Sequence, residues 1–182
     1  MNDLIAGDTK GNITVYINKG KKKAPELAAG SLLQVGGKTF ECPGTRSKPE
    51  VADWNNDQLF DILVGTENGE VLLLLNTGTH TEPKFDEAAP IKGPNGRFGL
   101  TRCDPTVVDW DGDKKKDLLL ADENGFLTFF PNSGTDSEPR FESAVKLSAK
   151  GWPIVPQSPY ADKMDVNGDG SPDSVADRKS VV

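Results

Sequence analysis

Oxygen-bearing side chains at alternate positions are what this sequence offers for chemistry. Three nine-residue segments carry them, at 53–61 (DWNNDQLFD), 109–117 (DWDGDKKKD) and 165–173 (DVNGDGSPD). Positions one, three, five and nine are Asp53, Asn55, Asp57 and Asp61, then Asp109, Asp111, Asp113 and Asp117, then Asp165, Asn167, Asp169 and Asp173. Position seven, held by Leu59, Lys115 and Ser171, can add its backbone carbonyl. Calcium is a hard cation that takes about six to eight oxygens at roughly 2.3–2.6 Å. Alternate side chains on a tightly curled loop converge on one point as such ligands do, while the residues between them point outward. The pattern therefore predicts up to three Ca2+ ions, one per segment.

Other readings of these segments fit less well. An EF-hand needs a bidentate glutamate at position twelve and flanking helices, whereas position twelve here is Val64, Leu120 or Ala176. Magnesium holds its waters and prefers few protein ligands. A merely solvated acidic turn gives no reason for the same four positions to recur three times. Positions four and six favour glycine for a tight curl. The third segment has Gly168 and Gly170, the second Gly112 and Lys114, the first Asn56 and Gln58. The first is thus expected to be the weakest site.

The elements that position these loops follow from the period. The segments start 56 residues apart, and their flanks keep register: Thr45-Arg46 recurs as Thr101-Arg102, and Glu82-Pro83-Lys84-Phe85 as Glu138-Pro139-Arg140-Phe141. A partial earlier copy opens the chain, where Asp3-Leu4-Ile5-Ala6-Gly7 matches Asp61-Ile62-Leu63-Val64-Gly65 at an offset of 58. In the middle copy, strands are expected at 50–54, 61–66, 70–76 and somewhere in 85–91. Asn68-Gly69 and Asn124-Gly125 mark tight hairpins between the second and third strands. A four-stranded unit repeated at this length cannot bury both faces alone, so it stacks on its neighbours as the blades of a β-propeller do. The expected class is all-β, with about three blade-equivalents: a partial blade over 1–44, blades over 45–100 and 101–156, and a partial blade over 157–182. Trp54 and Trp110 recur in register and are expected to wedge between blades rather than stack on a ligand.

Composition narrows the partners. A net charge of −7 argues against nucleic acid, which needs clustered Lys and Arg in excess. No stretch is long enough to span a membrane, and the first residues carry no secretory signal pattern. A single histidine, His80, and two cysteines without metal-ligand spacing, Cys42 and Cys103, supply no zinc site. Whether the cysteines pair is open. No nucleophile motif marks an enzyme, and the carboxylates are already assigned to metal.

The stretches 49–65 and 105–121 resemble the FG-GAP or VCBS-type repeats of integrin-like propellers and of many secreted bacterial proteins. Phe98-Gly99 is similar to that family's "FG", although Cys103-Asp104-Pro105 replaces its "GAP". The resemblance implies calcium at the loop aspartates and an extracellular or cell-surface setting, but no single activity. Three repeat lengths are too few to close a ring, so a piece of a longer propeller or completion by self-association is expected. The expected function is binding or scaffolding, with a glycan or an extracellular protein as ligand; a polysaccharide lyase or hydrolase portion and a cell-adhesion segment are the alternatives. Arg46 and Arg102, in register on the face opposite the acidic loops, and Phe98 and Trp152 beside them are the candidate ligand contacts, with a structural ion pair as the competing role for the two arginines.

Overall fold

The computed structural model describes residues 3–149 and, beyond them, strands at 152–153, 161–164 and 173–176. The chain is all-β; the single helical turn among the described residues is a 3₁₀ turn at Pro94–Gly96. An antiparallel sheet of β1 (Leu4–Gly7), β2 (Ile13–Tyr16) and β3 (Ser31–Leu32) comes first, followed by a small hairpin of β4 (Gln34–Val35) and β5 (Lys38–Thr39). A four-stranded meander follows in the order β6 (Lys48–Ala52), β7 (Asp61–Gly65), β8 (Val71–Leu74) and β9 (Ala89–Ile91). A second one repeats it with β10 (Asp104–Val108), β11 (Asp117–Ala121), β12 (Leu127–Phe130) and β13 (Val145–Lys146). The pairs β14 (Ser148–Ala149) with β15 (Trp152–Pro153), and β16 (Ala161–Met164) with β17 (Asp173–Ala176), complete the described strands.

Burial explains why the second strand of each blade is an unbroken apolar run. Every residue of β7 and β11 is buried, because both faces of the sheet are covered. Alternation survives as a division of labour. Ile62, Val64, Leu72 and Leu74 pack toward the first sheet with Ile13, Leu33, Phe40 and Cys42. Leu63, Val71 and Ile91 face the third with Val107, Leu118, Leu120 and Phe130. The far face of the third sheet gathers Val108, Leu119, Ala121, Leu127 and Phe129. Burying one such aliphatic side chain is worth about 1.5–3 kcal/mol, so each blade is held mainly by its neighbours.

Close approach fixes the spacing between blades. A side chain on Gly65 would strike the carbonyl oxygen of Cys103, and one on Gly7 that of Ser47. These two glycines are register mates, each lying where the next blade's first strand enters. Trp54 lies 2% exposed in the core between the second and third sheets, and Trp110 is half-buried, its ring 5.9 Å from that of Phe129. Cys42 and Cys103 are free and sit in different core clusters. Burial pushes both thiols up to about 11.

Candidate metal centre

Each acidic segment leaves the first strand of its blade and returns into the second, so its two ends are anchored by a strand pair. Ala52 pairs with Asp61, and Val108 with Asp117. The first strand begins two residues earlier than its sequence suggests and ends before Asp53, because there the backbone turns to start the loop. Position nine is the anchor. Asp61 and Asp117 are buried, and each accepts two backbone N–H bonds: from Trp54 at 2.8 Å and Asn76 at 2.8 Å, and from Trp110 at 3.0 Å and Asn132 at 2.8 Å. Burial raises both carboxyls above the usual range against the pull of these donors. Asp3 holds the N–H of Asn18 in the same way at 2.8 Å. Asn18, Asn76 and Asn132 then use their own side-chain oxygens to close the turn after the third strand.

The curl expected at positions four and six is present. Asn56 and Gln58 in the first loop, and Gly112 and Lys114 in the second, all have positive φ, from 62° to 79°. This curl turns successive N–H groups inward. Asp53 accepts from Asp57 and Gln58, and Asp109 accepts from Gly112 and Lys114. Three of the four curl positions lack glycine; Asn56 tolerates the left-handed region, while Gln58 and Lys114 cost about 1–2 kcal/mol each.

The second loop brings Asp109, Asp111 and Asp117 together, with one carboxylate oxygen from each within 4.8 Å of the other two. Oxygens bound about 2.4 Å from a shared cation can be no farther apart than about 4.8 Å, so this donor set fits one hard divalent ion. Asp113 stands apart from the cluster. It pairs with the Lys115 ammonium at 2.7 Å, which holds its carboxyl below the usual range. Lys115 thus turns back onto its own loop instead of pointing outward, drawn by the charge it sits among. In the first loop, position three is neutral. The Asn55 carboxamide donates to Asp57 at 2.8 Å, and the Asp57 N–H returns to its oxygen at 3.1 Å. Asp165, Asn167, Asp169 and Ser171 lie outside the described residues; Asp173 opens β17.

On the opposite end of the sheets, Arg102 bridges two blades. Its guanidinium reaches Glu67 at 3.4 Å and Glu123 at 3.3 Å, so its partners are the hairpin-turn acids of two blades rather than its sequence neighbour Asp104. Asp104 is taken by Lys48 of the preceding blade at 3.1 Å. Arg46 shares the positive φ of Arg102, 64° against 53°, and is exposed. Phe98 corrects the expectation of a surface contact: it is 6% exposed, with Phe130 and Phe141 centroids at 5.0 and 5.7 Å. The apolar ring is worth more in the core beneath this connection than on its surface. Trp152 lies in β15, with its side chain outside the described residues. A shallow cleft of about 410 Å³ opens on this end between Glu67, Asn68, Glu70, Arg97 and Thr101.

Asp136 was not marked by the sequence pattern. It accepts the Lys116 N–H at 2.8 Å and the Asn56 carboxamide at 2.6 Å, joining the first two loops. The available signal was a broken register, since its counterpart in the preceding blade is His80.

Blade-like four-stranded sheets, each with a curled acidic loop between its first and second strands, define the class, a propeller-type repeat protein. Residues 53–120, from the first acidic loop into β11, match the family model of the FG-GAP-like repeat. Comparison with curated proteins and with solved structures gave no match. Among the described residues no helix is long and apolar enough to cross a membrane.

Proposed function

We propose that this chain is a calcium-braced propeller-type module that works by binding or scaffolding outside the cell, with a glycan or an extracellular protein as its ligand. The observation that carries the reading is the convergence of Asp109, Asp111 and Asp117. Three carboxylates held this close repel one another, and a hard cation turns the repulsion into cohesion. Bound calcium supplies a fixed charge that ties the first strand of a blade to the second. Asp117 anchors the loop end, while Asp109 and Asp111 close over the ion. In the first loop Asp53, Asp57 and Asp61 would do the same with a neutral Asn55 at position three, and Asp165, Asn167, Asp169 and Asp173 supply a third set.

The ligand face is the opposite end, where Arg46, Arg97 and the cleft beside Thr101 offer hydrogen-bond donors to a carboxylate or sulfate. Arg102, shared between two acids, frames that face. The test is a glycan array and a panel of extracellular proteins, each probed in calcium and in excess chelator. Binding that chelation abolishes supports the reading. Binding indifferent to chelator contradicts the calcium brace, and new unsaturated ends on uronic-acid polymers would make the chain a lyase instead.

A further inference from the structure

The second acidic loop carries four carboxylates, of which three converge. One oxygen each of Asp109, Asp111 and Asp117 lies within 4.8 Å of the other two. Asp113, at position five, is held apart by a single residue. One of its oxygens accepts the Lys115 backbone N–H at 2.9 Å, and the other takes the Lys115 ammonium at 2.7 Å. The same ammonium donates to the carbonyl of Asn132 at 3.4 Å, the residue whose N–H holds Asp117 at 2.8 Å. Lys115 is therefore strung between the position-five carboxylate and the turn that anchors position nine.

An ammonium in this place acts as an internal counter-ion. The bond to Asp113, and then the charges of Asp113, Asp111 and Asp117, hold its proton above the ordinary lysine range. The lysines on either side do not share the role. Lys116 pairs with Asp136 at 3.1 Å, and Lys114 makes no ion pair among the described residues. The first loop has no equivalent, since its position seven is Leu59. There Asp57 accepts the Leu59 N–H at 2.7 Å and the Asn55 carboxamide at 2.8 Å in place of an ammonium.

We propose that Lys115 is a positioning residue that competes with calcium for Asp113, so that the second loop is a three-carboxylate site with less affinity than its four carboxylates would give. This deepens the calcium reading above and rests on it. Affinity at such loops follows the number of charged ligands, and here the fourth reaches the ion only by leaving the ammonium. The pair is a weak one, its side chains being 36% and 35% exposed. What it withholds is therefore a fraction of the affinity and not the site itself.

The test is a Tb3+ titration of the full chain, with terbium as an oxygen-seeking stand-in for calcium, in a background that isolates the second loop. Asp53→Asn, Asp57→Asn, Asp165→Asn and Asp169→Asn leave the other two segments one carboxylate each, while Trp110, next in sequence to Asp109, sensitises the emission. In that background Lys115→Met lowers the midpoint about five-fold, and Lys115→Gln, which guards against a misfolded methionine variant, does the same. Lys115→Arg keeps the parent midpoint because it keeps the pair. Lys114→Met removes an equal charge one residue away and moves the midpoint by less than about two-fold. Emission lifetimes in light and heavy water count the waters on the ion: Lys115→Met displaces about one, and adding Asp113→Asn brings it back together with the parent midpoint. An unchanged midpoint in both Lys115→Met and Lys115→Gln overturns the proposal with calcium binding intact, as does a shift that Lys114→Met reproduces or one with no change in bound water. Absence of any emission rise in the parent background and in Lys115→Met alike overturns the calcium reading of this loop, and the proposal with it.

Discussion

The first and second acidic loops share a backbone and differ in chemistry. Both leave a first strand, curl through two residues of positive φ and end on a buried aspartate that gathers the same two N–H groups. The second presents three convergent carboxylates; the first spends its third position on a neutral Asn55 that bonds to Asp57. Shape in this repeat is thus carried by position nine and the turn asparagine. Charge at positions one and three is a separate variable, free to grade the affinity of each site.

That separation makes its first prediction about position nine. Asp61→Ala and Asp117→Ala should each lower stability by about 3 kcal/mol in chelator, since each strands two backbone donors that are buried with it. Urea unfolding checks this, and a large inequality between the two would break the shared-scaffold claim. Next in size, Asn55→Asp should move the first loop toward the second, tightening calcium by about ten-fold, or roughly 1.4 kcal/mol, as measured by calorimetric titration. Gln58→Gly should stabilise the metal-free chain by about 1 kcal/mol, because its φ of 72° suits glycine. A destabilisation would show that the Gln58 side chain contributes something the structure does not display.

The smallest effect concerns the interfaces beneath the loops. Cys42 lies in the core between the first and second sheets, Cys103 in that between the second and third. With thiols raised from 9.0 to about 11, the fold favours the protonated form. Their stabilising contribution is whole below pH 9.0 and is lost as pH rises from there through about 11. At pH 9 the loss should be under about 1 kcal/mol for each thiol. Thiol-reactive probes should label the folded chain slowly, Cys42 ahead of the more deeply buried Cys103.

Much of this architecture was readable before any coordinates. The period placed the strands because a blade's second and third strands must be apolar on both faces, and Asn-Gly pairs set the hairpins. The first strand lies two residues earlier than its sequence pattern suggests because Asp53 and Trp54 look continuous with it, although Asp53 turns into the loop and Trp54 drops into the core. The β4–β5 hairpin went unforeseen, being short and mostly exposed. Phe98 looks like a surface aromatic in sequence because its neighbours are loop-like; only packing shows that the connection folds inward over Phe130. Loop ligands were legible because their spacing repeats. Cross-blade partners such as Glu67 with Arg102, or Asp136 with Asn56, were not, since contact between blades leaves no local pattern.

The most direct test of the calcium brace is thermal unfolding of the full chain in millimolar calcium and in excess chelator, for the unsubstituted chain and for Asp111→Asn. At about a hundred times the dissociation constant, calcium adds roughly 2.7 kcal/mol, a rise of about 6–10 °C in Tm for a chain of this size. The account predicts that rise, and predicts that Asp111→Asn removes most of it while shifting the chelated curve only upward, as one of three mutually repelling carboxylates is neutralised. Superimposable curves with and without calcium would contradict it.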